Sequence, residues 1–350
     1  MNGITIERWT LSSKIAVGGV LALLVLLAFA PEFLRPGLVD RLTTLFIYVI
    51  LAAMWNALAG YGGLVSVGQQ VFFGLGAYLS IRLADGGFSV YPSLVAAALL
   101  VGLFALPLSF LMLRLKGGEF AIGMWVVSAL THLCVNLDPL IQGETGTSLI
   151  ALNTFDASAR RAYTYWMALG AMTALLGLLF LLLRSRLGAA IQAIRDNEGA
   201  AASVGVRVLS TKRVIFILAA AGAGMAGALW LATALTFQPK TYFSVQWTAY
   251  MIFMVLVGGI GRFEGAILGA ILFFLIETWF GGAGVWYLVG LGAVALLFSL
   301  LLPRGIWGWV EDRFGLRLLP VGYQVRFSAD DPPGHAAAGL VAGPGVATRG

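Results

Sequence analysis

The chain has 350 residues, 60% of them apolar and 11% charged, with a mean hydropathy of +0.92 and a net charge of +6. Soluble domains average about half apolar and a quarter charged, so a water-soluble globular fold is excluded. One cysteine, Cys134, and two histidines, His132 and His335, leave no disulfide within the chain, no cysteine cluster for a metal and no histidine-based triad.

Crossing the hydrocarbon of a bilayer takes about 20 apolar residues. Runs of that kind occupy residues 15–34, 42–60, 64–83, 92–113, 120–137 and 162–183, and then 214–237, 247–260, 266–280 and 285–302. The first follows only Arg8 and Lys14, with no clear cleavage site after Ala30, and reads as an anchor rather than a removed signal. The 247–280 stretch is interrupted by Gly258, Gly259, Gly261, Arg262 and Glu264, which fits either two short helices with a tight turn or a re-entrant excursion. The fold class is therefore an all-α integral membrane protein with about ten transmembrane helices. Residues 1–308 form the transmembrane domain and residues 309–350 a cytoplasmic tail, which beyond Gly322 is rich in Gly, Ala and Pro and reads as disordered.

Cytoplasmic loops are enriched in Lys and Arg. With the N-terminus inside, the outer side receives Arg35, Arg41, Arg82, Arg160, Arg161 and Lys240, and the other sixteen of the 22 basic residues face inward. That bias places both termini in the cytoplasm, together with the polar insert at 184–213. The longest outer loop, 138–161, carries Asp138, Glu144 and Asp156 and is a candidate docking segment.

The insert, RSRLGAAIQAIRDNEGAAASVGVRVLSTKR, has helical composition between two apolar runs. Ser185 is placed to cap a helix entered through Arg186 and Leu187, and Ile191, Ile194, Ala201 and Val204 fall near helical spacing. Two readings stand side by side: a surface gripped by a soluble partner, or an amphipathic helix lying on lipid headgroups.

Residues 59–78 gather Gly60, Gly62, Gly63, Gly68, Gly74 and Gly76 around Ser66, Gln69 and Gln70. Small residues let helices approach closely or break where they line a cavity. The three polar residues are accordingly either interhelical glue or the lining of a polar path. Asn56, His132, Asn136 and Glu277 are the other intramembrane polar residues; Glu277 is either a buried carboxyl or, at the outer interface, simply a solvated one. Paired titratable residues deep in the spans are missing from the sequence, against a proton-coupled pump, and there is no carboxylate pair or nucleophile with a base, against an enzyme. No GxxxxGK[ST] loop occurs, so any ATP-driven motion requires a separate ATPase chain.

The run AIRDNEGAAASVGV (193–206) resembles the cytoplasmic coupling segment of ABC importer permeases, with the acidic-small-small core and later glycine at Glu198, Ala200, Ala201 and Gly205. The chain is similar to permeases of the branched-chain amino acid importers through NALAGYGGLVSVGQQVFFGLGAYLS (56–80), LRLKGGEFAIGMW (113–125), GETGTSL (143–149), VLVGGIGRFEGAILGAIL (255–272) and LLPRGIWG (301–308). It departs from the family at Gln69, where histidine is commoner, and at Glu144, where Gly or Thr is frequent. The resemblance implies a permease subunit that imports leucine, isoleucine or valine across a bacterial inner membrane by alternating access. Import of urea, amides or other amino acids is the alternative, and a self-sufficient secondary transporter a more distant one. Implied partners are a second related permease, two cytoplasmic ATPase subunits that use ATP and Mg, and a periplasmic binding protein, with no cofactor in this chain. It further implies that Asp196, Asn197, Glu198, Ala200, Ala201 and Gly205 engage the ATPase.

Overall fold

A computed structural model describes residues 4–7, 11–314, 318–319 and 324–327. Among them, eight helices are long and apolar enough to cross a membrane. The first apolar helix, α1, spans Leu11–Ala28, and α2, Ala30–Phe33, follows it. Pro36 opens α3, Pro36–Asn56, after an extended Arg35, using a fixed φ where no N–H is needed. A π-helical turn, Ala57–Tyr61, continues α3 without a cap.

The structure corrects the expected span at 64–83. Residues 62–69 are non-helical, and helix α4 is Gln70–Asp85, 16 residues long. The clustered glycines explain the break: Gly63 adopts φ +68°, and a Cβ on Gly68 would lie 2.0 Å from the Met124 carbonyl oxygen. Only a bare backbone passes between these neighbours.

Then come α5, Val90–Met112, α6, Gly118–Asn136, and α7, Ala157–Arg184. The insert folds as α8, Arg186–Asp196, and α9, Glu198–Ser203, before α10, Val208–Ala234. After the short α11, Pro239–Tyr242, helices α12, Val245–Gly258, and α13, Phe263–Phe280, form a hairpin. Gly259 and Gly261, at φ +129° and +74°, make its turn, which resolves the 247–280 stretch as two helices. Last are α14, Val285–Leu301, and α15, Gly305–Phe314. Short strands form two antiparallel pairs, β1, Ile4–Glu7, with β4, Gln324–Phe327, and β2, Thr147–Ser148, with β3, Thr236–Phe237. Beyond Gly322, where disorder is expected, the described residues Gln324–Phe327 form a strand instead, and the remaining positions lie outside the described residues.

Helices α3 and α10 are the centre, 83% and 72% buried over their most apolar windows. Helix α10 presents small residues to its neighbours. Cβ atoms added at Gly224 and Gly222 would lie 2.9 Å from Val101 of α5 and 2.4 Å from Met54 of α3. In lipid, where apolar burial between helices gains little, this close van der Waals contact is what binds spans.

Candidate functional site

The loops at residues 61–63, 184–207, 259–262 and 303–312 share one face, called here the insert face. On it, Ser185 caps α8 as its position predicts, its Oγ accepting from Leu187 N at 3.2 Å and Gly188 N at 3.4 Å. Asn197 then turns extended, φ −157° and ψ 106°, ending α8 and starting α9. Its Oδ1 accepts from Ala200 N at 3.0 Å, which satisfies one of the open N–H groups of α9.

This elbow overturns the expected single apolar stripe. Ile191, Ile194 and Ala201 are buried, but Val204 is 80% exposed, because the extended residue resets the helical phase. Of the residues implied to meet an ATPase, Asp196, Asn197, Ala200 and Gly205 face solvent, while Ala201 points inward. Glu198 is partly screened and takes the Lys212 Nζ at 2.8 Å, tying α9 to α10. Gly205, at φ +89°, releases the chain toward α10.

Arg195 is a residue that sequence reasoning did not select. Its Nη1 donates to the Gly60 carbonyl at the end of the π turn, 3.0 Å away, and its Nε donates to Asp196 at 2.9 Å. The available signal was a basic residue in the last helical turn, where unpaired carbonyls attract cations. Beside it, Asn56 clamps the α12–α13 turn, with Oδ1 accepting from Gly261 N at 2.8 Å and Nδ2 donating to Arg262 O at 2.9 Å. Arg262 in turn reaches Glu311 of α15 at 2.9 Å. A cavity of about 360 Å³, lined by Tyr61, Gln192, Arg195, Arg262, Glu264 and Trp307 among others, opens at this junction.

Ser66, Gln69 and Gln70 are all buried at the α4 break. Ser66 shapes the bend: its carbonyl accepts from Trp55 Nε1 at 3.0 Å, and its Oγ accepts from Gly68 N at 3.3 Å. Gln70 joins α4 to α12, with Oε1 accepting from the Thr248 hydroxyl. Gln69 Nε2 donates to Ala219 O at 3.3 Å, while its Oε1 is buried with no partner.

On the far face, the outer loop is locked in place. The Glu144 carboxylate accepts from Asn136 Nδ2 at 2.6 Å and Lys240 N at 2.9 Å, and lies 2.8 Å from His132 Nε2. Burial would raise the Glu144 and Asp138 carboxyls, but the groups bonded to them outweigh it and hold both below their ordinary values. For Asp138 these are the Tyr78 hydroxyl, Leu140 N and Arg82. Thr147–Ser148 pairs with Thr236–Phe237. Glu277 is not simply solvated, since it is partly buried.

A family model described as the permease component of branched-chain amino acid transport systems matches residues 37–302. The high-affinity branched-chain amino acid transport system permease protein LivM of Escherichia coli (strain K12) is 28% identical over 85% of this chain and 76% of its own length. Its Salmonella typhimurium counterpart matches equally, at 28% over the same shares. A probable LivM of Methanocaldococcus jannaschii is 26% identical over 69% of this chain and 68% of its own. Among solved structures, a metal-chelate type ABC transporter in an inward-facing conformation aligns at 18% identity and TM-score 0.47, covering 83% of this chain and 99% of that one.

Proposed function

The chain belongs to the family of branched-chain amino acid transport permease components, and from that premise we propose that it imports leucine, isoleucine or valine as one subunit of an ATP-driven transporter. It is a multi-pass membrane protein and a permease subunit rather than an enzyme. Its partners in this reading are a second related permease, two ATPase chains that bind ATP and Mg, and a periplasmic binding protein. The insert face is cytoplasmic, and both termini lie there; the antiparallel pairing of β1 with β4 supports the common side.

The observation that carries the reading is the elbow formed by α8 and α9. A helix lying on headgroups would turn apolar residues to the lipid. Here Ile191, Ile194 and Ala201 are spent on the protein core, and the outward side, fixed by two caps, is mostly small or polar, with Asp196, Asn197, Ala200 and Gly205 beside the exposed apolar residues Leu187 and Val204. Such a surface suits a protein partner, and Asp196, Asn197, Ala200 and Gly205 form its contact while Glu198 and Ala201 set its shape.

Transport then proceeds by alternating access, with nucleotide in the ATPases favouring one of two arrangements of the spans. Gln69, with an unused buried acceptor beside the break in α4, is the strongest path candidate of the three polar residues. Ser66 and Gln70 hold the break.

The test is co-purification of wild type and of Ala200→Trp with Val204→Glu, both exposed sites. ATPase recovery should fall at least tenfold in the double variant while its elution as a folded protein is unchanged. Substrate uptake by the wild-type chain reconstituted without any ATPase would sink the reading.

A further inference from the structure

Resting on the coupling reading of α8 and α9, we infer that Arg195 is the positioning residue that transmits their movement to the broken span. The π turn ends α3 with its carbonyls nearly all taken from within: Gly62 N, Leu64 N and Gly63 N bond to the oxygens of Ala57, Leu58 and Ala59 at 3.0–3.1 Å. The next oxygen, on Gly60, receives the Arg195 guanidinium. One side chain from the end of α8 thus completes the end of α3. Residues 62–69, the non-helical link to Gln69 and α4, begin two positions later.

The glycines around it serve this contact. A Cβ at Gly63 would press on the Arg195 stem at 3.3 Å, and one at Gly261 would lie 3.2 Å from Gly60 O and 3.3 Å from Arg195 Nη1. Three backbones therefore meet around one guanidinium: α8, the π turn and the α12–α13 turn. Asn56 locks the second to the third. A shift of α8 must carry the π turn and the hairpin turn with it or break a bond that, among the described residues, no other side chain supplies to Gly60. Asp196 holds the guanidinium fork from behind, so the side chain is oriented at both ends. A π-helical segment is a place where a helix can shift register at small cost, and such segments are frequent at functional sites.

The experiment uses the assembled transporter, with all its partner chains, in proteoliposomes. Arg195→Gln should leave ATPase association intact and ATP hydrolysis within twofold of wild type, while branched-chain amino acid uptake falls at least tenfold. The ATP used per substrate imported would rise by the same factor. Amide exchange supplies a second readout: nucleotide should change exchange in α8–α9 of both proteins, but change residues 62–69 only in wild type. Arg195→Lys, which keeps the stem against Gly63 and one donor, should recover part of the uptake and serves as the variant if Arg195→Gln does not assemble. Uptake and hydrolysis falling in proportion, or a wild-type nucleotide response of residues 62–69 in the variants, would overturn the inference. A wild-type complex whose α8–α9 exchange ignores nucleotide would instead overturn the coupling reading beneath it.

Discussion

Gln69 is expensive where it stands. A buried amide oxygen without a partner costs about 1–3 kcal/mol, and the 3.3 Å bond from its Nε2 returns at most about 1 kcal/mol. Reversing the amide would set its oxygen against the Ala219 oxygen, so the side chain has no better state in this arrangement of the spans. Gln69→Leu, of similar volume, should therefore leave thermal stability within about 1 kcal/mol of wild type or above it. If the orphaned oxygen serves the path, uptake falls at least tenfold in the same variant; unchanged uptake would remove Gln69 from the path. Gln70→Leu makes the contrast, because it leaves the Thr248 hydroxyl proton without its acceptor, while the Gln70 N–H still bonds that oxygen, and should lose about 1–3 kcal/mol in an unfolding measurement. The sequence marked Ser66, Gln69 and Gln70 alike, as polar residues in an apolar run. Ser66 finds its partners nearby, in Trp55 and Gly68, but those of Gln69 and Gln70 are Ala219 and Thr248, well over a hundred positions away, and no local pattern encodes them.

At the scale of elements, the α4–α10 contact is built from backbone meeting backbone. A Cβ on Gly76 would lie 1.9 Å from Gly224 O, and one on Gly227 would lie 1.9 Å from Phe73 O. No rotamer relieves such an overlap, so the helices must part and forfeit the packing that binds them. Gly76→Val should destabilise the protein by more than about 3 kcal/mol or prevent its folding, whereas Gly18→Val in α1, with open space around the added atoms, should change stability by less than about 0.5 kcal/mol. Detergent melting of the two variants separates close packing from the small gain in helix propensity on replacing glycine, which both share. The small-residue signal was legible in residues 59–78, as was the largely helical nature of the long apolar runs. What hydropathy did not reveal was that the helix stops at Tyr61 and restarts at Gln70, because residues 64–69 are apolar enough to read as span. The same holds for the elbow at Asn197. Composition announces a helix on both sides, and only the extended backbone of that one residue turns Val204 outward.

For the whole molecule, charge and connectivity make one claim about sidedness. The insert face collects Arg195, Arg262 and Arg304 with their carboxylate partners. The far face collects Arg82 with Asp138 and Arg161 with Asp40. Each loop falls on the side that alternation of the spans assigns to it, so a single wrong crossing would separate side chains that are bonded here. The excess of arginine in the insert-face loops is the charge bias on which the proposal of a cytoplasmic insert face rests. Cys134 is the chain's one cysteine and is exposed, so Cys134→Ala gives a background in which single cysteines report their side. A cysteine at exposed Thr154 should react with a membrane-impermeant maleimide added to intact cells, and one at Val204 only after permeabilisation. The reverse pattern would invert the topology and put the elbow of α8 and α9 out of reach of any cytoplasmic ATPase. Labelling at both sites in intact cells would mean that the two loops share a side, which an odd number of crossings between them forbids. Because Glu144 and Asp138 hold the outer loop to the ends of α4 and α6, the Thr154 site should keep its reactivity whether or not substrate is present. The Val204 site, bare in this chain, should lose reactivity when the ATPases are bound.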